Sequence, residues 1–144
     1  MSRRSRRIGV LDLSNAISKV FIEYGQQVNE VIDDSLKEVA RESVEDLKAV
    51  TTWARSYMSS EYSDDWTWTI EPVKRYSRKI IVYNDEHYRL THLLESGHAK
   101  YLWGKNTGQR VKGYPHIRPV REKAEEHFES AVVRRIESIN ASNL

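Results

Sequence analysis

From Leu13 to Tyr57 apolar residues recur in steps of three or four, at Leu13, Ile17, Val20, Tyr24, Val28, Val31, Ile32, Leu36, Val39, Ala40, Leu47, Val50, Ala54 and Tyr57. That spacing is the apolar stripe of a helix. No proline occurs before Pro72, so nothing forbids a single element, which at 1.5 Å per residue would be roughly 65 Å long. Such a rod is longer than one small domain can cover. Part of its stripe, with Val20, Tyr24, Val31, Leu36 and Val39 as candidates, is therefore expected to pack on another subunit. Gly25 costs about 1 kcal/mol relative to alanine in a helix interior, and the polar run Gly25-Gln26-Gln27 interrupts the aliphatics. A kink or break is expected there.

The chain has 144 residues, room for one hydrophobic core. Its mean hydropathy of −0.69 comes with 4 Trp and 8 Tyr, too many large apolar groups for a disordered chain. The sequence holds no 18-residue apolar run, and the apolar stretch of a signal peptide does not follow its N-terminal arginines, so neither a membrane partner nor secretion is expected. With 0 Cys, disulfides, thiol nucleophiles and cysteine zinc sites are excluded. The formal net charge is only +2, but it is segregated: Arg3, Arg4, Arg6 and Arg7 make residues 1–10 a basic flexible arm, while residues 11–60 carry five basic against nine acidic side chains. A second basic locus runs from Arg89 to Arg118.

Beyond the long helix, Trp66-Thr67-Trp68-Thr69-Ile70 alternates at period two, the pattern of a strand, and Lys79-Ile80-Ile81-Val82-Tyr83 follows as its hairpin partner. Asn84 offers a cap for a short helix from His87 to Glu95, ended by Gly97 in a left-handed conformation. Trp103-Gly104-Lys105-Asn106-Thr107-Gly108-Gln109 has turn chemistry and is expected to form a mobile hairpin tip, with Arg110-Val111-Lys112 as the return strand. Pro119 suits the first turn of a closing helix, whose face is Val120, Ala124, Phe128, Ala131, Val132, Ile136 and Ile139. The expected fold is α+β: a long N-terminal helix, a small antiparallel β-sheet with a short helix and a long basic hairpin loop, and a C-terminal helix. Residues 11–140 form one domain, and residues 141–144 are a frayed tail.

Metal binding by His87, His92, His98, His116 and His127 is disfavoured, because ligands on one helix face need spacings of three or four, whereas His87 to His92 is five and His92 to His98 is six. No nucleophile elbow, phosphate-cradling glycine loop or dinucleotide fingerprint is present. No enzyme, metal or cofactor is expected. Lys100, Lys105, Arg110 and Lys112 interleave with Tyr101, Trp103 and Tyr114, so the loop could touch nucleic acid through phosphates and stacking, or could be a solvated loop rooted by its aromatics.

The run Leu90-Thr91-His92-Leu93-Leu94-Glu95-Ser96-Gly97-His98-Ala99, then Arg110-Val111, then Tyr114-Pro115-His116-Ile117-Arg118-Pro119, resembles the tail-completion or head–tail joining (neck) proteins of long-tailed, siphovirus-type bacteriophages and prophages. The likeness covers roughly residues 80 to 130, and Pro115, His116 and Pro119 carry it most clearly. It implies a non-enzymatic virion protein, assembled in the host cytoplasm as a homo-oligomeric ring of six copies at the neck, through which DNA passes. Its implied partners are a head-completion or stopper protein, a tail terminator or tail tube protein, and phage DNA in transient contact. The resemblance makes Gly97 and Pro115 shape-setting residues, and His98 and His116 hydrogen-bonding turn residues. Tyr101-Leu102-Trp103 departs from the shorter, more purely basic loop of that pattern and favours an aromatic-anchored protein contact. The alternatives are a tail terminator capping the tail tube, a DNA-binding regulator using the arginine arm, and a histidine-based metal nuclease.

Overall fold

The computed structural model describes residues 10–53, 62–71 and 78–142. The arginine arm, Ala54 and Tyr57 of the apolar stripe, Pro72, and the last two residues of the tail lie outside the described residues. The elements are α1 (Val10–Val50), β1 (Trp66–Ile70), β2 (Ile80–Asn84), α2 (Thr91–Ser96), β3 (His98–Leu102), β4 (Lys105–Val111) and α3 (Ile117–Ser142). The fold is α+β, and none of the described helices is long and apolar enough to cross a membrane.

Helix α1 runs for 41 residues, so of the kink or break expected at Gly25 the break does not occur. A single glycine weakens a helix without ending it when both neighbouring segments keep the same apolar face. A methyl group added at Gly25 would meet nothing within 4 Å. Gly25→Ala should therefore raise stability by about 0.5–1 kcal/mol, measured as a rise of a few degrees in Tm. A fall in Tm would mean that the helix depends on a bend there.

Helix α3 lies antiparallel on the C-terminal half of α1. Lys123 Nζ donates to Asp46 Oδ2 at 2.8 Å and Arg135 Nη1 to Ser35 Oγ at 2.8 Å, which sets the register of the pair. Between them His127 pairs with Glu42, and Arg134 and Arg135 reach Glu38. The apolar face expected for α3 is the covered one, with Val120 and Ala131 buried and Ala124, Phe128, Val132, Ile136 and Ile139 half-buried. The helix continues to Ser142, past the start of the expected tail at residue 141.

The small sheet is two separate hairpins, not one. β1 pairs with β2 from Trp66↔Asn84 to Ile70↔Ile80, and β3 pairs only with β4. The core sits between the first hairpin and the helices, with Val44, Leu47, Tyr62, Trp66 and Val120 buried and Trp53, Trp68, Val82, Leu94 and Ile117 packed on them. β2 is shifted one residue from its expected place because Asn84 ends it inside the fold. Asn84 Nδ2 donates to the Tyr62 carbonyl at 2.7 Å, and its Oδ1 accepts from the His87 amide at 2.8 Å. This asparagine therefore closes a turn instead of capping a helix. The helix starts four residues later than expected, at Thr91.

Candidate functional site

The short helix α2, the root of the second hairpin and the first turn of α3 meet at Glu95. Its Oε2 accepts from the amides of His116 at 2.7 Å and Ile117 at 2.8 Å, and its Oε1 from the amide of Arg118 at 2.9 Å. The first amides of a helix have no partner within it, so a carboxylate from α2 caps α3 across 21 to 23 residues of sequence. The first turn of α3 carries no acid of its own, Glu122, Glu125 and Glu126 lying later in the helix. Burial opposes a charge on Glu95, but the three amides and the adjacent His116 outweigh it and hold the carboxyl below its ordinary range.

His116 is buried at the centre of this site, 2% exposed. Its Nδ1 is 2.6 Å from the Tyr114 carbonyl, an acceptor, so Nδ1 carries a proton. In the neutral ring Nε2 then accepts from the Tyr62 hydroxyl at 2.8 Å. Tyr62, Trp53 and Trp66 surround the imidazole, with ring centroids 5.9 to 6.0 Å away. Burial, then the nearby Glu95 charge, push the Tyr62 hydroxyl far above its usual range, so it stays a neutral donor. Trp53 also stacks on Tyr114 at 4.9 Å, tying this corner to the end of α1.

The hairpin root is built from two glycines. Gly97 has φ +76, and a methyl group there would lie 2.3 Å from the Val111 carbonyl and 2.7 Å from the Gly113 amide. At Gly113 it would lie within 2.6 Å of backbone at Gly97, Ser96 and Glu95. The strands leave this crossing with their outer part in solvent, every residue from Lys100 to Lys112 being exposed. The loop expected over Trp103–Gln109 is mostly strand. Trp103 and Gly104 have φ 54 and 75, and positive φ at both central residues matches the twist of a two-residue hairpin turn. The expected turn residues Thr107 and Gly108 make an irregularity opposite Lys100, where the Thr107 hydroxyl donates to the Lys100 carbonyl at 2.7 Å.

The residues singled out in the sequence thus divide. Leu94, Glu95, Gly97, His116 and Ile117 converge on the capped corner, whereas Leu90 supports the turn before α2 and His92 is exposed. Pro115 leads into the corner and Pro119 lies in the first turn of α3. His98 Nδ1 bonds the next residue's carbonyl at 2.9 Å. Lys100, Trp103, Lys105, Arg110 and Lys112 all stand on the exposed hairpin. Val31 and Val39 are buried within the chain's own fold and are not free for an interface, Leu36 is half-buried, and Val20 and Tyr24 are 63% and 42% exposed.

Tyr62 and Gly113 were not singled out. The partner-dependent Tyr62 has no local signal, but Gly113, fifteen residues after His98, marks where the hairpin returns. Spacing along the chain also misses the cluster formed by Glu38 and Glu42 of α1 with His127 of α3, whose ligand atoms lie within 4.8 Å of one another. Hydrogen bonding from Arg135, aided by the charges of Arg134 and His127, holds the Glu38 carboxyl below its ordinary range. Arg134 and Arg135 pair with Glu38 and His127 with Glu42, so the cluster serves as an ionic clasp between the helices.

A groove of about 580 Å³ runs beside β2 between α1 and α3, lined by Leu47, Trp66, Val82, Tyr88, Val120 and Arg121 among others. Its lining is mainly apolar, and among the described residues no set of acids, bases or nucleophiles converges on one point. The chain matches no family model, no curated protein and no solved structure.

Proposed function

We propose that this chain is a structural protein of the neck of a long-tailed phage virion, completing the tail end and joining it to the head as a ring through which DNA passes. One observation carries this reading. The residues of the neck-protein resemblance, separated in sequence, act together in the fold, where Glu95, Gly97, His116 and Ile117 lock α2 to α3 and hold out a basic, aromatic-tipped hairpin. A rigid base with an extended arm is what a protein working by shape and charge complementarity needs. In this reading the ring has six copies, and its faces meet a head-completion or stopper protein and a tail terminator or tail tube protein. It acts without metal, cofactor or catalysis.

The test is assembly of particles from a phage genome carrying an early stop in this reading frame. Filled heads and separate tails are expected, and adding the purified chain should yield joined particles. Intact infectious particles made without the chain would refute the assignment. Shortening the hairpin by removing Lys105 to Gly108 should leave α1 and α3 folded and the joining step lost.

A further inference from the structure

Two surfaces of this chain have no cover among the described residues. The first is the N-terminal half of α1. The Lys123–Asp46 and Arg135–Ser35 pairs fix the helix register, so Ser142 comes level with about Val28 when each residue rises ~1.5 Å. Beyond that level Leu13, Ile17, Val20, Phe21 and Tyr24 continue the stripe that α3 covers further along, yet they are 42% to 71% exposed. At 3.6 residues per turn, Glu23, Glu30 and Asp34 share one flank of this stripe. Glu23 meets Lys19 at 3.9 Å, while Glu30 and Asp34 have no ion pair among the described residues.

The second is the hairpin. Between His98 and Gly113 it has four cations, Lys100, Lys105, Arg110 and Lys112, and no acid, and none of the four has an ion pair among the described residues. Its tip presents Tyr101, Leu102 and Trp103, the last 100% exposed. One surface is aliphatic with an acidic flank, and the other is aromatic with basic strands.

We propose that the hairpin of one copy docks along the N-terminal half of α1 of the next. The dimensions match: the Ala99–Arg110 pair lies about 13 Å along the hairpin from Trp103, as Glu30 lies about 13 Å along the helix from Phe21, and the long basic side chains cover the one further turn to Asp34. The tip then covers Val20, Phe21 and Tyr24 while Lys100 and Arg110 meet Glu30 and Asp34. The contact cannot form within one chain. The hairpin springs from the corner where Tyr114 stacks on Trp53, about 40 Å along the α1 axis from Tyr24, and its strands reach only about 23 Å. When each hairpin docks on the next copy and is not returned by the same partner, the contact is heterologous, and such contacts propagate until they close a ring. This deepens the ring of the proposed function and rests on that reading for closure and stoichiometry; the pairing itself rests on the two surfaces.

Charge exchange tests it, with mass measured by analytical ultracentrifugation over a range of concentrations. The wild-type chain is expected to self-associate. Glu30→Lys with Asp34→Lys, or Lys100→Glu with Arg110→Glu, should each weaken association at least about tenfold, as should Trp103→Ser. These substitutions leave the buried core untouched, so circular dichroism should show unchanged folding. A chain carrying both charge exchanges should regain association. Association unaffected by either exchange, no rescue in the combined chain, or a wild-type monomer at every concentration would overturn the pairing. So would a monomer whose hairpin cations bind duplex DNA instead. If the exchanges leave association intact and the chain still joins tails to heads, the neck reading survives without this contact; if association follows the exchanges but joining needs no such chain, the reverse holds.

Discussion

Glu95→Ala is expected to lower stability by about 3 kcal/mol, or about 10 °C in Tm for a chain of this size. The carboxylate accepts three amides at 2.7 to 2.9 Å. Water can replace it at Arg118, which is exposed, but the His116 and Ile117 amides are partly enclosed and would lose their acceptor. Hydrogen bonds to a charged acceptor contribute more than neutral ones, and removing that acceptor leaves the desolvation cost of its donors in place. Glu95→Gln keeps one good acceptor and should lose roughly half as much. Acid titration supplies a second reading. The folded carboxyl titrates below its ordinary range, so its contribution is fully present above the unfolded pKa of about 4.3 and is lost as pH falls through the folded value. Thermal melts from pH 7 to pH 3 should show a steeper acid loss for the wild-type chain than for Glu95→Ala. Parallel curves would mean that Glu95 does not act as the charged cap.

Gly97→Ala is expected to have an effect at least as large, centred on the second hairpin. The new methyl group would sit 2.3 Å from the Val111 carbonyl, a backbone atom that cannot swing aside, and the residue has φ 76 and ψ 176. That region is essentially restricted to glycine and costs other residues about 1–3 kcal/mol before any clash. The strands must therefore separate at their root. Hydrogen exchange should show protection lost across β3 and β4 while the α1–α3 amides stay slow. Gly113→Ala should do the same, because its methyl group meets the other side of the crossing, and the double variant should be little worse than either single one. Gly108→Ala is the contrast: its φ is also positive, but nothing lies within 4 Å, so only the smaller backbone cost of about 1 kcal/mol is expected. Wild-type exchange rates in Gly97→Ala would show that the crossing is not tight.

Much of the fold follows from local pattern. The three-to-four spacing of α1 and the Val120 to Ile139 face of α3 declare helices because one side of each must be apolar. Trp66-Thr67-Trp68-Thr69-Ile70 declares a strand for the same reason at period two. Gly97 marks the end of α2 because a positive φ is needed there, although with ψ 176 it is extended and not the left-handed helical cap expected. Turn chemistry is less decisive. Asn106, Thr107 and Gly108 suit a loop, yet they are held in β4 because the Trp103-Gly104 turn sets the hairpin's register.

The order of amino acids thus specifies the set of elements, the segregation of charge and the motif residues that matter. The work those residues do emerges only when the chain is folded, since capping and packing partners are chosen by proximity in space and leave no periodic trace. Glu95 reaches an amide 23 residues away and His116 a tyrosine 54 residues away. Folding also selects which part of one continuous apolar stripe is covered. Helix α3 is 26 residues long against 41 for α1, so Val31 and Val39 are buried while Val20 and Tyr24 remain in solvent.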